Sequence, residues 1–263
     1  KKRVIAVENS FPGRTSAAVA ATDNPGIRAP LNAQHQVSFL PLNEAGALQA
    51  ELEKGDVCAV IVESVQGVGG LDAATPEFLK TTQTLCQANG TVLIADEVQS
   101  GFGRTGDFFA FQESGIRPGI ISMAKGMGNG FPVGGILIHP DFKARHGMLG
   151  TTFGGNHLAC TAALAVLEVL EQETLPAHAR EMETYFREQA EKLPVACRVK
   201  GRGLMLGLEF HFEVGGLRKK LVEAHRIFTG SARNPRVLRI LPALNINRDA
   251  LDLLFRALQT ELG

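Results

Sequence analysis

Strand-length apolar runs alternate with stretches of helical periodicity through the first two thirds of the chain. Residues 4–7 form a short apolar run, and residues 57–62 form a continuous one, the pattern of a strand buried on both faces. A helix is predicted next. Thr75 is a good N-cap, Pro76 suits the first helical position, and Glu77 favours the positive end of the helix dipole. Phe78, Leu79, Thr82, Leu85 and Cys86 recur at helical spacing, and Asn89-Gly90 closes the helix. Strands are predicted at 91–95, 120–123 and 133–138. Asn156 is the expected cap of a helix running to about Gln172, with Leu158, Ala162, Ala165, Val166, Val169 and Leu170 on one side.

This spacing of strands and helices predicts an α/β fold, a largely parallel sheet with helices on its faces. The pattern changes after residue 172. A charged helical stretch at 176–193 is followed by short strand candidates at 195–209 and 237–246, and by helices at 217–225 and 249–262. The expected organisation is a large domain over 1–172 and a smaller C-terminal α+β domain over 173–263. No internal repeat or low-complexity segment is visible.

Composition narrows the function. The 263 residues are 44% hydrophobic and 21% charged, ordinary for a globular protein. Lys+Arg and Asp+Glu are 27 each, and a balanced chain has no basic face for nucleic acid or an anionic membrane. One Tyr and no Trp leave little for base stacking. No apolar run approaches the ~18 residues that span a bilayer. Cys58, Cys86, Cys160 and Cys197 lie far apart without a C-x-x-C pair, the usage of a reducing compartment, so a cytoplasmic protein is expected. The start at Lys1-Lys2-Arg3 shows no signal-peptide features. His139, His146 and His157 lack metal-ligand spacing, and no metal site is expected.

The chemistry concentrates at predicted strand ends. Asp96 directly follows residues 91–95, and Lys125 follows 120–124 and precedes Gly126-Met127-Gly128-Asn129-Gly130. Open α/β sheets bind ligands at these carboxyl ends, and a buried carboxylate needs a cationic or hydrogen-bonding partner. The pair is either a structural ion pair or a pyridoxal phosphate site, since that cofactor takes a lysine amine and an acid for its pyridine nitrogen. Thr151-Thr152-Phe153-Gly154-Gly155 runs into the helix capped at Asn156. It reads as a phosphate seat at a helix start or as an ordinary glycine-rich turn. Arg14 and Arg239 are either surface ion-pair members or carboxylate binders. Arg239 interrupts the apolar run Leu238-Arg239-Ile240-Leu241, which is unusual without a partner.

Taken together, these segments resemble the class III, ornithine-type aminotransferases of fold type I, and acylornithine aminotransferases in particular. The likeness rests on Leu93-Ile94-Ala95-Asp96-Glu97-Val98-Gln99-Ser100-Gly101-Phe102-Gly103-Arg104-Thr105-Gly106 and on Ser122-Met123-Ala124-Lys125-Gly126-Met127-Gly128-Asn129-Gly130-Phe131-Pro132. Thr152-Phe153-Gly154-Gly155-Asn156 and Leu238-Arg239-Ile240-Leu241-Pro242 follow in the expected order. The resemblance implies that Lys125 holds pyridoxal phosphate and carries the proton. It further implies Asp96 at the pyridine nitrogen, Gln99 at the ring's 3′ oxygen, Phe11 on the ring face and Glu63 beside the pocket. Thr152, with Thr151, would hold the cofactor phosphate of the neighbouring subunit of a homodimer. Arg14 would take a remote substrate carboxylate, and Arg239 the α-carboxylate of glutamate or 2-oxoglutarate.

There are departures. Glu63-Ser64-Val65-Gln66-Gly67-Val68-Gly69-Gly70 stands where many members read E-P-[IV]-Q-G-E-G-G, so Val68 replaces an acid that can pair with the arginine matching Arg239. Pro118-Gly119 stands where an acidic residue often follows the proline. The family portion before the Phe11 segment, with a phosphate-binding turn, is not among the 263 residues. The implied activity is transfer of the terminal amino group of acetyl- or succinylornithine to 2-oxoglutarate. An ornithine, 4-aminobutyrate or diamine transaminase, a semialdehyde aminomutase, or an inactive scaffold on the same fold are the alternatives.

Overall fold

The continuous apolar runs become the middle of a six-stranded sheet in the computed structural model, which describes residues 1–263. The strands are β1 (Arg3–Val7), β2 (Val37–Leu40), β3 (Val57–Val62), β4 (Val92–Asp96), β5 (Ile120–Met123) and β6 (Gly135–Ile138), in the order β2-β1-β3-β4-β5-β6. All neighbours are parallel except the antiparallel β5–β6 pair. Val57, Val60 and Val62 of β3 and Leu93 and Ala95 of β4 are buried, as expected where helices cover both faces.

Around this sheet lie α1 (Ser16–Ala21), α2 (Ala45–Leu52) and α3 (Pro76–Ala88). The cap of α3 is as predicted: Thr75 Oγ1 accepts from the Phe78 amide at 3.1 Å. Phe78, Leu79 and Cys86 then pack into the core beside Val60, Val62 and Leu93. Because β3, β4 and β5 are parallel, their carboxyl ends, and the residues that follow them, open at one edge of the sheet.

A second, antiparallel sheet is built from β7 (Arg198–Arg202), β8 (Met205–Glu209), β9 (Gly230–Ser231) and β10 (Val237–Ile240), in the order β7-β8-β10-β9. With α5 (Leu175–Ala190), α6 (Gly215–His225) and α7 (Arg248–Leu262) it encloses its own core. Phe186 and Phe255 meet there edge to face at 5.0 Å. The predicted strand over 195–209 is two strands, because the chain turns at Gly203. Its φ is +56°, and a Cβ would lie 2.6 Å from the Arg104 carbonyl oxygen. Leu204 N–H donates to that oxygen at 2.9 Å, so the hairpin tip seats against the segment after β4.

The helix α4 (His157–Gln172) starts as predicted, with Asn156 Oδ1 accepting from the Ala159 amide at 2.9 Å. Its buried line is Ala159, Ala163 and Leu170, whereas Leu158 is 73% exposed and Val169 is also exposed. The apolar side is thus only partly covered, because α4 rests on the 3-10 turn Lys125–Gly128 and on α5 rather than on the sheet. The elements β2, α1 and α2 carry no strong periodicity and were not predicted. β2 is a four-residue edge strand, intermediate in exposure throughout, and α1 is six residues of mostly alanine. No helix is long and apolar enough to cross a membrane.

Candidate active site

Asp96 is the last residue of β4 and is 4% exposed. Its Oδ1 accepts from the Val98 amide at 3.1 Å and from the Ser122 hydroxyl of β5 at 3.0 Å. Both bonds fall on one oxygen, so Oδ2 has no protein donor. Burial pushes the pKa of Asp96 up, opposed by these two donors and by the charge of Lys125.

Lys125 follows β5 and opens the turn Lys125–Gly128. Its φ is +48°, a left-handed conformation that costs a residue with a side chain about 1–3 kcal/mol. Burial lowers its pKa, Asp96 and Glu63 raise it, and Arg239 lowers it again. The sequence therefore places the acid and the amine on adjacent strand ends, and the fold brings them within electrostatic reach. Lys125 lines a cavity of about 170 Å³ with Gln99, Phe102, Arg104, Met205 and Leu241. Asp96 is not part of that lining.

Glu63 follows β3 and is 5% exposed. Oε1 accepts from the Phe11 amide at 2.7 Å, and Oε2 accepts from the Gly67 amide at 3.0 Å. Burial, with Asp96, pushes its pKa up to about 7 against these amides and Lys125. The side-chain amide of Gln99 lies over Gly67 in the space a Cβ would take, so a larger residue there would displace Gln99. The Gly67 carbonyl accepts from Arg239 Nη1 at 2.6 Å. Arg239 reaches this point from β10, forms no ion pair, and its Nε is buried without a partner. Burial and the nearby Arg218 lower its pKa. No acid stands at residue 68 to neutralise it.

The structure thus brings Phe11, Glu63, Asp96, Gln99, Lys125 and Arg239 to one edge of the sheet. Arg14, Thr151 and Thr152 are exposed on loops and make no ion pair or side-chain hydrogen bond within the chain.

Three contributors escaped sequence reasoning. Ser122 supports Asp96. Glu97 accepts from Ser100 Oγ and from the Ala110 and Phe111 amides, which ties down the loop after β4. Burial pushes its pKa up. Arg104 donates to the carbonyls of Leu204 and Pro242, at 3.3 and 2.5 Å. The signal for Glu97 was its place beside Asp96 in an otherwise apolar and glycine-rich stretch. Nothing local marks Arg104, whose acceptors are 100 and 138 residues distant.

A family model, Aminotransferase class-III, matches residues 1–262. The acetylornithine aminotransferase of Bacillus subtilis is 37% identical over 257 residues, covering 95% of this chain and 66% of the relative. The succinylornithine transaminase of Photorhabdus laumondii is 37% identical over 263 residues, covering 96% of this chain and 65% of the relative. The crystal structure of ornithine aminotransferase from Toxoplasma gondii superposes with a TM-score of 0.90 at 28% identity, covering 99% of this chain and 64% of that one. The chain therefore spans a little under two thirds of the length of such relatives. Its strand-end acid and lysine, its fold type I architecture and a match over nearly all its residues agree: the chain belongs to the class III aminotransferase family.

Proposed function

We propose that the full protein is a pyridoxal-phosphate-dependent aminotransferase that moves the terminal amino group of an N-acylornithine to 2-oxoglutarate, yielding the semialdehyde and glutamate. The observation that carries this reading is the coupling of Asp96 and Lys125 at neighbouring strand ends, each shifting the other's pKa. The names of the relatives support the acylornithine donor.

The residues fit the cofactor. Asp96 has one oxygen without a donor, which suits a protonated ring nitrogen. Pyridoxal phosphate supplies an electron sink for the carbon that loses a proton. Lys125 would hold it through its amine and would carry that proton, a task helped by a pKa that burial moves below the ordinary lysine value. Gln99 would hold the 3′ oxygen and Phe11 would cover the ring, with Glu63 beside the pocket. Arg239 takes the α-carboxylate of 2-oxoglutarate or glutamate, and Arg14 the donor's remote carboxylate; arginine's planar fork suits both. Thr151 and Thr152 would hold the phosphate in a neighbouring subunit. Their exposed loop and the exposed apolar residues Phe153, Leu158 and Leu164 support a homodimer. In this reading residues 1–172 form the cofactor-binding domain and 173–263 a small domain. The four unpaired cysteines support a cytoplasmic location.

The test is the visible absorbance of lysine-bound cofactor in the purified full-length protein, followed by a donor panel with 2-oxoglutarate. The band is expected in wild type and absent in Lys125→Ala, with acetyl- or succinylornithine the best donor. Equal rates with putrescine would remove the acylornithine assignment. A protein that stays colourless with added cofactor would remove the enzyme.

A further inference from the structure

Glu63 is the one buried carboxyl group at this edge whose two oxygens hold two different loops. Oε1 fixes the Phe11 amide and Oε2 fixes the Gly67 amide. Residue 67 in turn carries two further contacts. Its α-carbon is covered by the Gln99 side chain, and its carbonyl is the acceptor for Arg239 Nη1 at 2.6 Å. Arg239 has no acid to hold it and a buried Nε without a partner, so this carbonyl is what aims the guanidinium. The link from Arg239 to residue 67 crosses 172 positions of sequence, and it joins the second sheet to the loop after β3.

We propose that Glu63 is a positioning residue: through its bonds to Phe11 and Gly67 it sets the ring-covering Phe11 and the carboxylate-seating Arg239 together. The proposal rests on the reading of Phe11 and Arg239 given above. Glu63 acts through backbone amides and touches neither substrate nor reacting atoms. A carboxylate accepts from both amides at once, whereas a protonated carboxyl turns one oxygen into a donor and weakens one of the two bonds. The charged groups that face Glu63 are Asp96 from β4, which favours the protonated form, and Lys125 after β5, which opposes it. With the Glu63 pKa near 7, the brace loosens as pH falls through neutrality.

The experiment is calorimetric titration of glutarate, a dicarboxylate that cannot react, into the cofactor-loaded full-length protein at pH 6.5 and pH 8. Wild type is expected to bind more tightly at pH 8. Glu63→Gln removes the charge, so at pH 8 it should bind glutarate about tenfold more weakly, the loss of one hydrogen bond to a charged group. It should also show a flat response between the two pH values and a raised cofactor dissociation constant by absorbance titration. Glu63→Asp keeps the charge with a shorter reach. It should weaken glutarate binding while keeping the pH response, and it covers the case in which the Gln variant does not fold.

Arg239→Ala is the control. If it retains wild-type glutarate affinity, the carboxylate seat itself is misassigned. If it loses glutarate while Glu63→Gln keeps both wild-type affinity and wild-type pH response, the positioning role is overturned. A Glu63→Gln protein with a lowered melting temperature but unchanged glutarate and cofactor affinity also overturns it, because that is the signature of a purely structural acid.

Discussion

The two sheets of this molecule treat polar groups in opposite ways. Thirteen of the fourteen buried polar or charged residues lie in the first 172 positions, among them Glu63, Gln66, Asp96, Glu97 and Ser100; the second part buries Lys200 alone. Its core is otherwise apolar, a cluster of nineteen buried residues dominated by leucine, with phenylalanine and alanine. Charge divides the same way. Residues 1–172 hold 12 basic and 16 acidic side chains, net −4, and residues 173–263 hold 15 and 11, net +4. Hydrogen bonds offset part of the cost of burying Glu63, Asp96 and Glu97, yet burial still raises their pKa values, so their charged forms cost the first part stability. The second part is a conventional apolar core that presents cations to the first. Arg239 on Gly67, Arg233 on Asp23, Lys200 on Asp72 and Arg202 on Asp107 all point that way.

The contrast predicts that stability and cofactor binding respond separately to substitution. Phe186 is fully buried against Phe255, and Phe186→Ala should cost about 3–5 kcal/mol, read as a drop in urea midpoint. Cofactor affinity measured well below the melting temperature should stay at the wild-type value. Affinity that falls in step with stability would mean that the two parts are not energetically distinct.

Asp96→Asn is the converse experiment. Asparagine keeps Oδ1 as acceptor for Val98 and Ser122 but cannot pair with a protonated ring nitrogen. Losing one charge-assisted hydrogen bond of about 1.5–3 kcal/mol should weaken cofactor binding about 10- to 100-fold. The sign for stability is opposite. A carboxyl whose folded pKa lies above its unfolded value binds more protons when folded, so it loses stability as pH rises through that window. Burial places Asp96 in this class, so at pH 8 the cofactor-free variant should melt no lower than wild type. A clear fall in melting temperature would show that the carboxylate supports the fold.

Legibility in the sequence follows the same division between local and distant causes. The strand over residues 57–62, the helix after Thr75 and the cap at Asn156 were readable because propensity, capping and periodicity act within one turn. Asp96 and Lys125 were readable because each directly follows a strand-length run, and Lys125 also opens a glycine-rich segment. The left-handed Lys125 was not, since no glycine stands at that position to announce it. The turn at Gly203 was missed because its glycine answers to the Arg104 carbonyl, a contact that no window of sequence contains. The brace through Glu63 escaped for the same reason: its members lie on three loops and a strand of the other sheet. The apolar side of α4 was readable but its exposure was not, because apolar periodicity says that a face is apolar, not what covers it.

The smallest expected effect concerns the cations that join the two parts. Arg233 reaches Asp23 at 2.8 Å with both side chains partly exposed, at 47% and 23%, and Asp23 also accepts from the Asn9 amide next to the Phe11 segment. Ion pairs this open are worth about 0–1 kcal/mol, and in 1 M salt screening acts within about 3 Å. Arg233→Gln should therefore lower the urea midpoint slightly at low ionic strength and not at all in 1 M NaCl. Lys200 differs, because its side chain is 6% exposed beside Asp72, and a buried charge is screened far less. Lys200→Gln leaves Asp72 half in water and should keep its destabilisation at high salt. If salt erases both effects equally, the contact between the two parts is a surface attraction throughout, and the small part would dock on the large one with no fixed cation at its centre.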